Sequence, residues 1–325
     1  MVQIGYTMMC EQRAPQDLVT DVVLAEQAGF DFAVISDHYH PWLEAQGHGG
    51  YAWSVLGAAA ARTERIPLMT YVTCPTVRYH PAIVAQKAAT MALLSDGRFT
   101  LNLGAGERLN EHVVGQGWPS VSVRHQMLSE AVDVIRKLWE GGYVTHGGRY
   151  FQVDSARVFD LPETPIPLGV AVSGPESCRL AGEKADVMVA VEPRPELRQW
   201  FDAAGGSGKP GIAQAGCCYG PDADAALQLA HEQFRWFPAG WKQNAELPNC
   251  VNFDAASQFV RPEDMADQVP HGTDVEPYVQ AVKQFVDAGL EQVAFVQIGP
   301  DQEAFCQFFV DTLGPALRKE FGPAS

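Results

Sequence analysis

Basic residues are scarce in this 325-residue chain: 23 lysines and arginines stand against 39 aspartates and glutamates, a formal charge of −16 at pH 7. So negative a surface draws in neither nucleic acid nor an anionic bilayer, and both are excluded as partners. An anionic cofactor would need a local basic patch. Long hydrophobic runs are missing too. No segment offers the roughly 18 uninterrupted apolar residues of a membrane span. The opening Met1-Val2-Gln3-Ile4-Gly5-Tyr6 has no cationic stretch followed by an apolar one, which predicts a cytoplasmic chain. Cysteine is sparse: seven residues, with Cys217 and Cys218 adjacent and no Cys-x-x-Cys pair. That is neither a disulfide framework nor a structural zinc site, and reads as reduced core or pocket thiols. Gly104-Ala105-Gly106 lacks the third glycine of a dinucleotide fingerprint and follows the fourth apolar run, not the first. A Rossmann nicotinamide site is disfavoured.

What is present is a globular composition, 46% hydrophobic and 19% charged, in which short apolar runs alternate with amphipathic stretches of helical length. That alternation predicts βα units and a parallel sheet. The strands expected are Ile4 to Met9, Phe32 to Ser36, Leu68 to Thr73, Phe99 to Leu103, Leu168 to Val172, Val187 to Val191, Ile212 to Cys217 and Val293 to Ile298. The helices between them include Pro15 to Ala28, Pro81 to Leu94, Arg124 to Trp139 and Pro175 to Lys184, several opened by proline. Eight such units make a (β/α)₈ TIM barrel, read as one domain over residues 1–325 because no composition shift marks a boundary. One connection is too long: about 233–271, an insertion before the last βα unit, with Pro238 to His271 expected to be irregular. Its Trp236, Phe237 and Trp241 either line a pocket or anchor a packed surface segment.

In such a barrel the site forms where strands end, so the polar residues after each run are the candidates. They are Ser36-Asp37-His38-Tyr39-His40-Pro41-Trp42, Thr73-Cys74-Pro75-Thr76, Gly104-Ala105-Gly106-Glu107-Arg108-Leu109-Asn110-Glu111 and Ser173-Gly174-Pro175-Glu176-Ser177. The glycines let backbone approach a flat ligand. The serine-rich turn opens a helix whose free N–H groups suit an anion or a ring carbonyl.

The SDHYHPW and GAGERLNE runs, reinforced by Cys74-Pro75-Thr76-Val77-Arg78-Tyr79-His80-Pro81, resemble the luciferase-like superfamily. Within it they are similar to the branch using the deazaflavin coenzyme F420, which includes glucose-6-phosphate and secondary-alcohol dehydrogenases. The resemblance spans almost the whole chain. It implies that Asp37 hydrogen-bonds the deazaflavin, that Cys74 stands where relatives often carry threonine, and that Ala105, Gly106 and Asn110 line the coenzyme. It implies further that Ser173, Gly174, Glu176 and Ser177 meet its phosphate or ribityl side, and that a cis peptide at Tyr71-Val72 backs the ring. Dimers are frequent among such relatives, so a homodimer is expected.

Oxidising an alcohol requires its hydroxyl proton to leave, and histidine titrates near neutrality, so His38 is the candidate base. Glu107 then stabilises or protonates the reduced coenzyme, or the roles exchange, and Trp42 excludes water. Plainer readings stand beside these: Glu107 as a helix cap, Asp37 as a turn residue, and His38, His40 and His48 as metal ligands, disfavoured for want of a matched carboxylate spacing. Sugar-phosphate dehydrogenases of this branch bind the phosphate with lysines and an arginine. Here the matching regions offer only Arg194, with Lys242 in the insertion. A neutral alcohol, carbonyl or activated alkene is therefore the expected small-molecule substrate. The alternatives are an FMN-dependent monooxygenase and a non-catalytic deazaflavin-binding protein.

Overall fold

The apolar runs form β1 (Gln3–Met8), β2 (Phe32–Ile35), β3 (Leu68–Thr70), β4 (Phe99–Leu103), β7 (Leu168–Ala171), β8 (Val187–Ala190), β9 (Gly211–Cys217) and β10 (Gln292–Gln297), with β5 (Val144–Gly147) and β6 (Gln152–Ala156) between the fourth and seventh. The computed structural model describes residues 1–322. Eight strands close into a barrel in the order β1-β10-β9-β8-β7-β4-β3-β2, every pair parallel. Parallel strands covered on both faces read as unbroken apolar runs, and Phe32–Ile35 and Val187–Ala190 are buried at every position.

The helices start where local chemistry dictates. Proline occupies the first turn of Pro15–Ala28, Pro81–Leu94 and Pro175–Lys184, where its fixed φ helps and its missing N–H costs nothing. Asp222 caps Ala223–Phe234 by accepting from the Asp224 and Ala225 amides. Inside the barrel Phe32, Val34, Met69, Tyr71, Val189 and Ile212 pack together. Gly5 makes room for the Phe32 ring, which a Cβ at that position would overlap.

The structure departs from expectation in two places. Residues 144–156 form an antiparallel hairpin, β5 with β6, ahead of the fifth barrel strand. The insertion is not irregular: it winds into short helices at Trp241–Asn244, Cys250–Ser257 and Pro262–Ala266. After β3 the Tyr71-Val72 peptide is cis, and the chain rejoins β4 through a parallel bridge between Thr73 and Leu103. All eight strands run the same way, so every loop that follows a strand opens at one mouth.

Because Gly5 faces the Phe32 ring, Gly5→Ala should destabilise the barrel by about 1–3 kcal/mol. A second change, Phe32→Leu, should recover part of the loss, as urea denaturation of the double-mutant cycle would show. Independent, additive effects would refute the contact.

Candidate active site

One cavity of about 760 Å³ occupies the mouth, within the roughly 300–1,000 Å³ of small-molecule sites. Its wall takes Glu11 from beyond β1, Ser36, His38 and Trp42 from beyond β2, Tyr71, Val72 and Cys74 from beyond β3, and Gly104 to Glu107 from beyond β4. The Ala171–Ser177 turn and the insertion complete it.

His38 and Glu107 do meet there. Nε2 of His38 lies 3.1 Å from Oε2 of Glu107, and Nδ1 lies 3.1 Å from Oε1 of Glu11. Glu11 escaped the sequence reading altogether. It is buried, and Ser36 Oγ donates to its Oε2 at 2.5 Å. Burial works against a charged imidazole, but Glu11 and then Glu107 outweigh it and push the His38 pKa up to about 9. The direction runs against the expectation of a base titrating near neutrality and favours the protonated imidazole, with a glutamate side chain beside each ring nitrogen. Trp42 packs on it, ring centroids 4.8 Å apart, and stacks on Trp236 at 4.0 Å.

Two residues expected to touch a coenzyme are otherwise engaged. Asp37 is buried outside the cavity wall, where its carboxylate accepts from Trp53 Nε1 at 3.0 Å, Thr73 Oγ1 at 2.7 Å, Arg78 at 3.1 Å and Tyr79 Oη at 3.2 Å. Four donors saturate a carboxylate, so Asp37 anchors the loops beyond β2 and β3. Asn110 is likewise buried: its Oδ1 accepts from the Tyr39 and His40 amides at 2.8 and 3.3 Å, and its Nδ2 donates to Glu107 Oε2 at 2.9 Å. Beneath them Glu111 takes the Arg78 amide at 2.6 Å. Burial lifts its carboxyl to about 7 against the pull of Arg78.

Val72, Cys74 and the glycines just before Glu107 form a further part of the wall. A Cβ on Gly104 would stand 2.6 Å from Val72 Cγ2, so only glycine lets the end of β4 lie against the cis peptide. Gly106, at φ 96°, continues the surface. Cys74 adds a buried thiol, its pKa raised well above the ordinary value by burial. In the turn beyond β7, Ser177 Oγ accepts from the Ser173 and Gly174 amides at 3.0 and 3.2 Å. Those two amides are therefore committed to the turn, and the first-turn amides of Pro175–Lys184 are the ones left for an anion.

Trp241 and Lys242 line the cavity, but Arg194 does not: its guanidinium turns to Glu192 at 3.3 Å and Glu196 at 4.0 Å. The sequence reading also missed Arg124, a buried cation on the wall that pairs with Glu246 of the insertion at 2.8 Å. Among the described residues no cluster of three or more His, Cys, Asp or Glu gathers to hold a metal, and no helix is long and apolar enough to cross a membrane.

A family model described as luciferase-like monooxygenase matches residues 2–308. The chain is similar to the F420-dependent glucose-6-phosphate dehydrogenase of Microbacterium testaceum, 34% identical over 336 residues that cover 98% of both chains. It is equally similar to that of Nocardia farcinica, at 34% over 332 residues with the same coverage. Among solved structures it resembles an F420-dependent secondary alcohol dehydrogenase in complex with an F420-acetone adduct. The TM-score there is 0.89 at 31% identity, covering 98% of this chain and 99% of that one.

Raising a histidine from its ordinary 6.5 to about 9 in the folded state makes folding favour the protonated form. That stabilisation is complete below pH 6.5 and drains away as pH climbs to about 9, up to about 3 kcal/mol in all. Imidazole NMR should find the His38 midpoint well above 6.5, and His38→Gln should flatten the fall in stability across that window. A midpoint at or below 6.5 would remove the two-carboxylate account.

Proposed function

The chain belongs to the luciferase-like monooxygenase family, and on that premise we propose that it is a coenzyme F420-dependent oxidoreductase acting on a small organic substrate. The observation that carries this reading is the His38–Glu107 couple, 3.1 Å apart, on the wall of a cavity that Val72 and Gly104 to Gly106 also line. The relatives' F420 dependence along nearly the whole chain supports it.

The residues present suit such a group. Val72, Cys74, Ala105 and Gly106 would hold the flat ring, with Tyr71 fixed behind them by its hydroxyl, which donates to the Ala190 carbonyl at 2.6 Å. Ser173, Gly174, Glu176 and Ser177 would shape the seat for the phosphate side through the helix N-terminus. When bound, the deazaflavin supplies the carbon that accepts or delivers hydride.

Everything else falls to the chain. In alcohol oxidation Glu107 accepts the hydroxyl proton at its carboxylate, and in carbonyl reduction it returns it. His38, its pKa raised by the two glutamates, positions the Glu107 carboxyl, and Glu11 in turn holds His38. Trp42, backed by Trp236 and with Trp241 beside it at 6.4 Å, closes the reacting centre to water.

A neutral alcohol, carbonyl or activated alkene suits the cavity best: Arg124 is already paired with Glu246 and Arg194 turns away, so among the described residues Lys242 is the one lysine or arginine on the wall without a carboxylate partner. A buried phosphate dianion with a single lysine to pair it would be costly. A cytoplasmic homodimer is the setting proposed for it.

Titrating the protein with F420 and FMN separately, then adding secondary alcohols and enones, tests the reading. F420 absorbance should bleach with an alcohol, and His38→Asn and Glu107→Gln should each lower kcat by about 10²–10⁴. Tighter binding of FMN with oxygen consumption would install a monooxygenase instead. Coenzyme binding without turnover on any substrate would mean a carrier.

A further inference from the structure

We propose that Asn110 is a positioning residue, whose one carboxamide fixes the His38 loop and the Glu107 carboxylate together and thereby selects which oxygen of Glu107 meets the substrate. The inference rests on the acid–base reading above. Its basis is geometric. Asn110 follows Glu107 by three residues, and the short helix Arg108–Glu111 brings its amide against that carboxylate. Both ends of the amide are used. Oδ1 accepts from the Tyr39 and His40 backbone, directly after His38, while Nδ2 donates to Glu107 Oε2.

The orientation of the amide is dictated by its partners. Turned over, it would point an NH₂ group at two backbone N–H groups and an oxygen at a carboxylate, two like-with-like contacts. Aspartate lacks the donor, and serine or threonine lacks the reach to serve both sides. Because Asn110 Nδ2 and His38 Nε2 both converge on Oε2, that oxygen is filled. Oε1 is the carboxylate oxygen left to the cavity, and it is the atom that exchanges the substrate proton. Removing the amide donor frees the carboxylate to rotate and deprives its ionised form of a hydrogen bond.

Asn110→Asp separates the two functions, since it keeps an acceptor for the loop amides and replaces the donor facing Glu107 with a like charge. Glutamate-selective ¹³C labelling, assigned with Glu107→Gln, reads the carboxyl directly in ligand-free protein. Its apparent midpoint should rise by about one pH unit or more in the variant. In the F420-loaded enzyme the acid limb of the kcat profile should shift up with it, and kcat at pH 7 should drop by about tenfold or more while coenzyme Kd and substrate KM change by less than about threefold. Asn110→Ser, which adds no charge, should move the midpoint the same way by less, and stands in should the aspartate variant fold poorly.

A coenzyme Kd raised about tenfold with the Glu107 midpoint unmoved would make Asn110 a ligand contact and overturn the proposal. An unmoved midpoint with unchanged kinetics would reduce it to packing. Should the wild type fail to turn over F420, the reading beneath it falls, and the ligand-free midpoint alone decides the role of Asn110.

Discussion

The arrangement on which the site depends is an imidazole held between two carboxylates. Glu11 and Glu107 flank His38 at 3.1 Å on either side. They come from the loops beyond β1 and β4, which β2 and β3 separate in the barrel order. The contact forms only once those four strands are in register and their loops converge, so the fold is what assembles the trio. Removing three ionisable groups from water is expensive, and mutual attraction offsets that cost only when the remaining lone pairs and protons are satisfied. Here Ser36 donates to Glu11, Asn110 donates to Glu107 Oε2, and the His40 carbonyl shares His38 Nδ1 with Glu11 at 3.2 Å, while Glu107 Oε1 is left to the cavity. An apolar trio of similar volume would serve stability as well, which is why the polar set reads as function.

A second buried layer keeps the first in place. Asp37, Arg78 and Glu111 link the ends of β2, β3 and β4. Arg78 donates to the Asp37 carbonyl at 2.6 Å and to its carboxylate at 3.1 Å, and its own amide reaches Glu111. The Thr73 hydroxyl, just past the cis peptide, joins the same carboxylate. The platform made by Val72 and Gly104 is thus supported from behind by charged hydrogen bonds, which hold geometry more tightly than apolar contacts do.

The barrel was legible because its strands are buried on both faces, and unbroken apolar runs at regular spacing suit few folds besides a parallel barrel. Proline at helix starts set boundaries correctly, as at Pro81–Leu94 and Pro175–Lys184. The hairpin at 144–156 was not legible, since most of its positions are half-buried or exposed and its polar strands give no apolar run. His38 and Glu107 were legible as residue types at strand ends. Glu11 was not: a glutamate in Cys10-Glu11-Gln12-Arg13 reads as a solvated charge, and nothing local announces that a histidine 27 positions on will bury it. For Asp37 and Asn110 the motif marked the side chains but not their partners within the protein, which belong to distant loops and have no local signature.

The charge balance that begins the sequence returns at the cavity. Glu11, Glu107, Glu176, Glu192 and Glu246 all border it, against Arg124 and Lys242, and Arg124 is partly neutralised by Glu246. No positive field reaches out to gather an anion, so an anionic coenzyme bound here would be recognised at contact, through backbone amides at a helix N-terminus and the fit of its ring, with little electrostatic acceleration of its arrival. The same acidity works on the substrate side. An incoming anion would add its own desolvation to repulsion from the acidic residues that border the cavity. A neutral molecule meets neither penalty. The acidic lining therefore supports the neutral substrate proposed above, and the same residues that surround His38 set that preference.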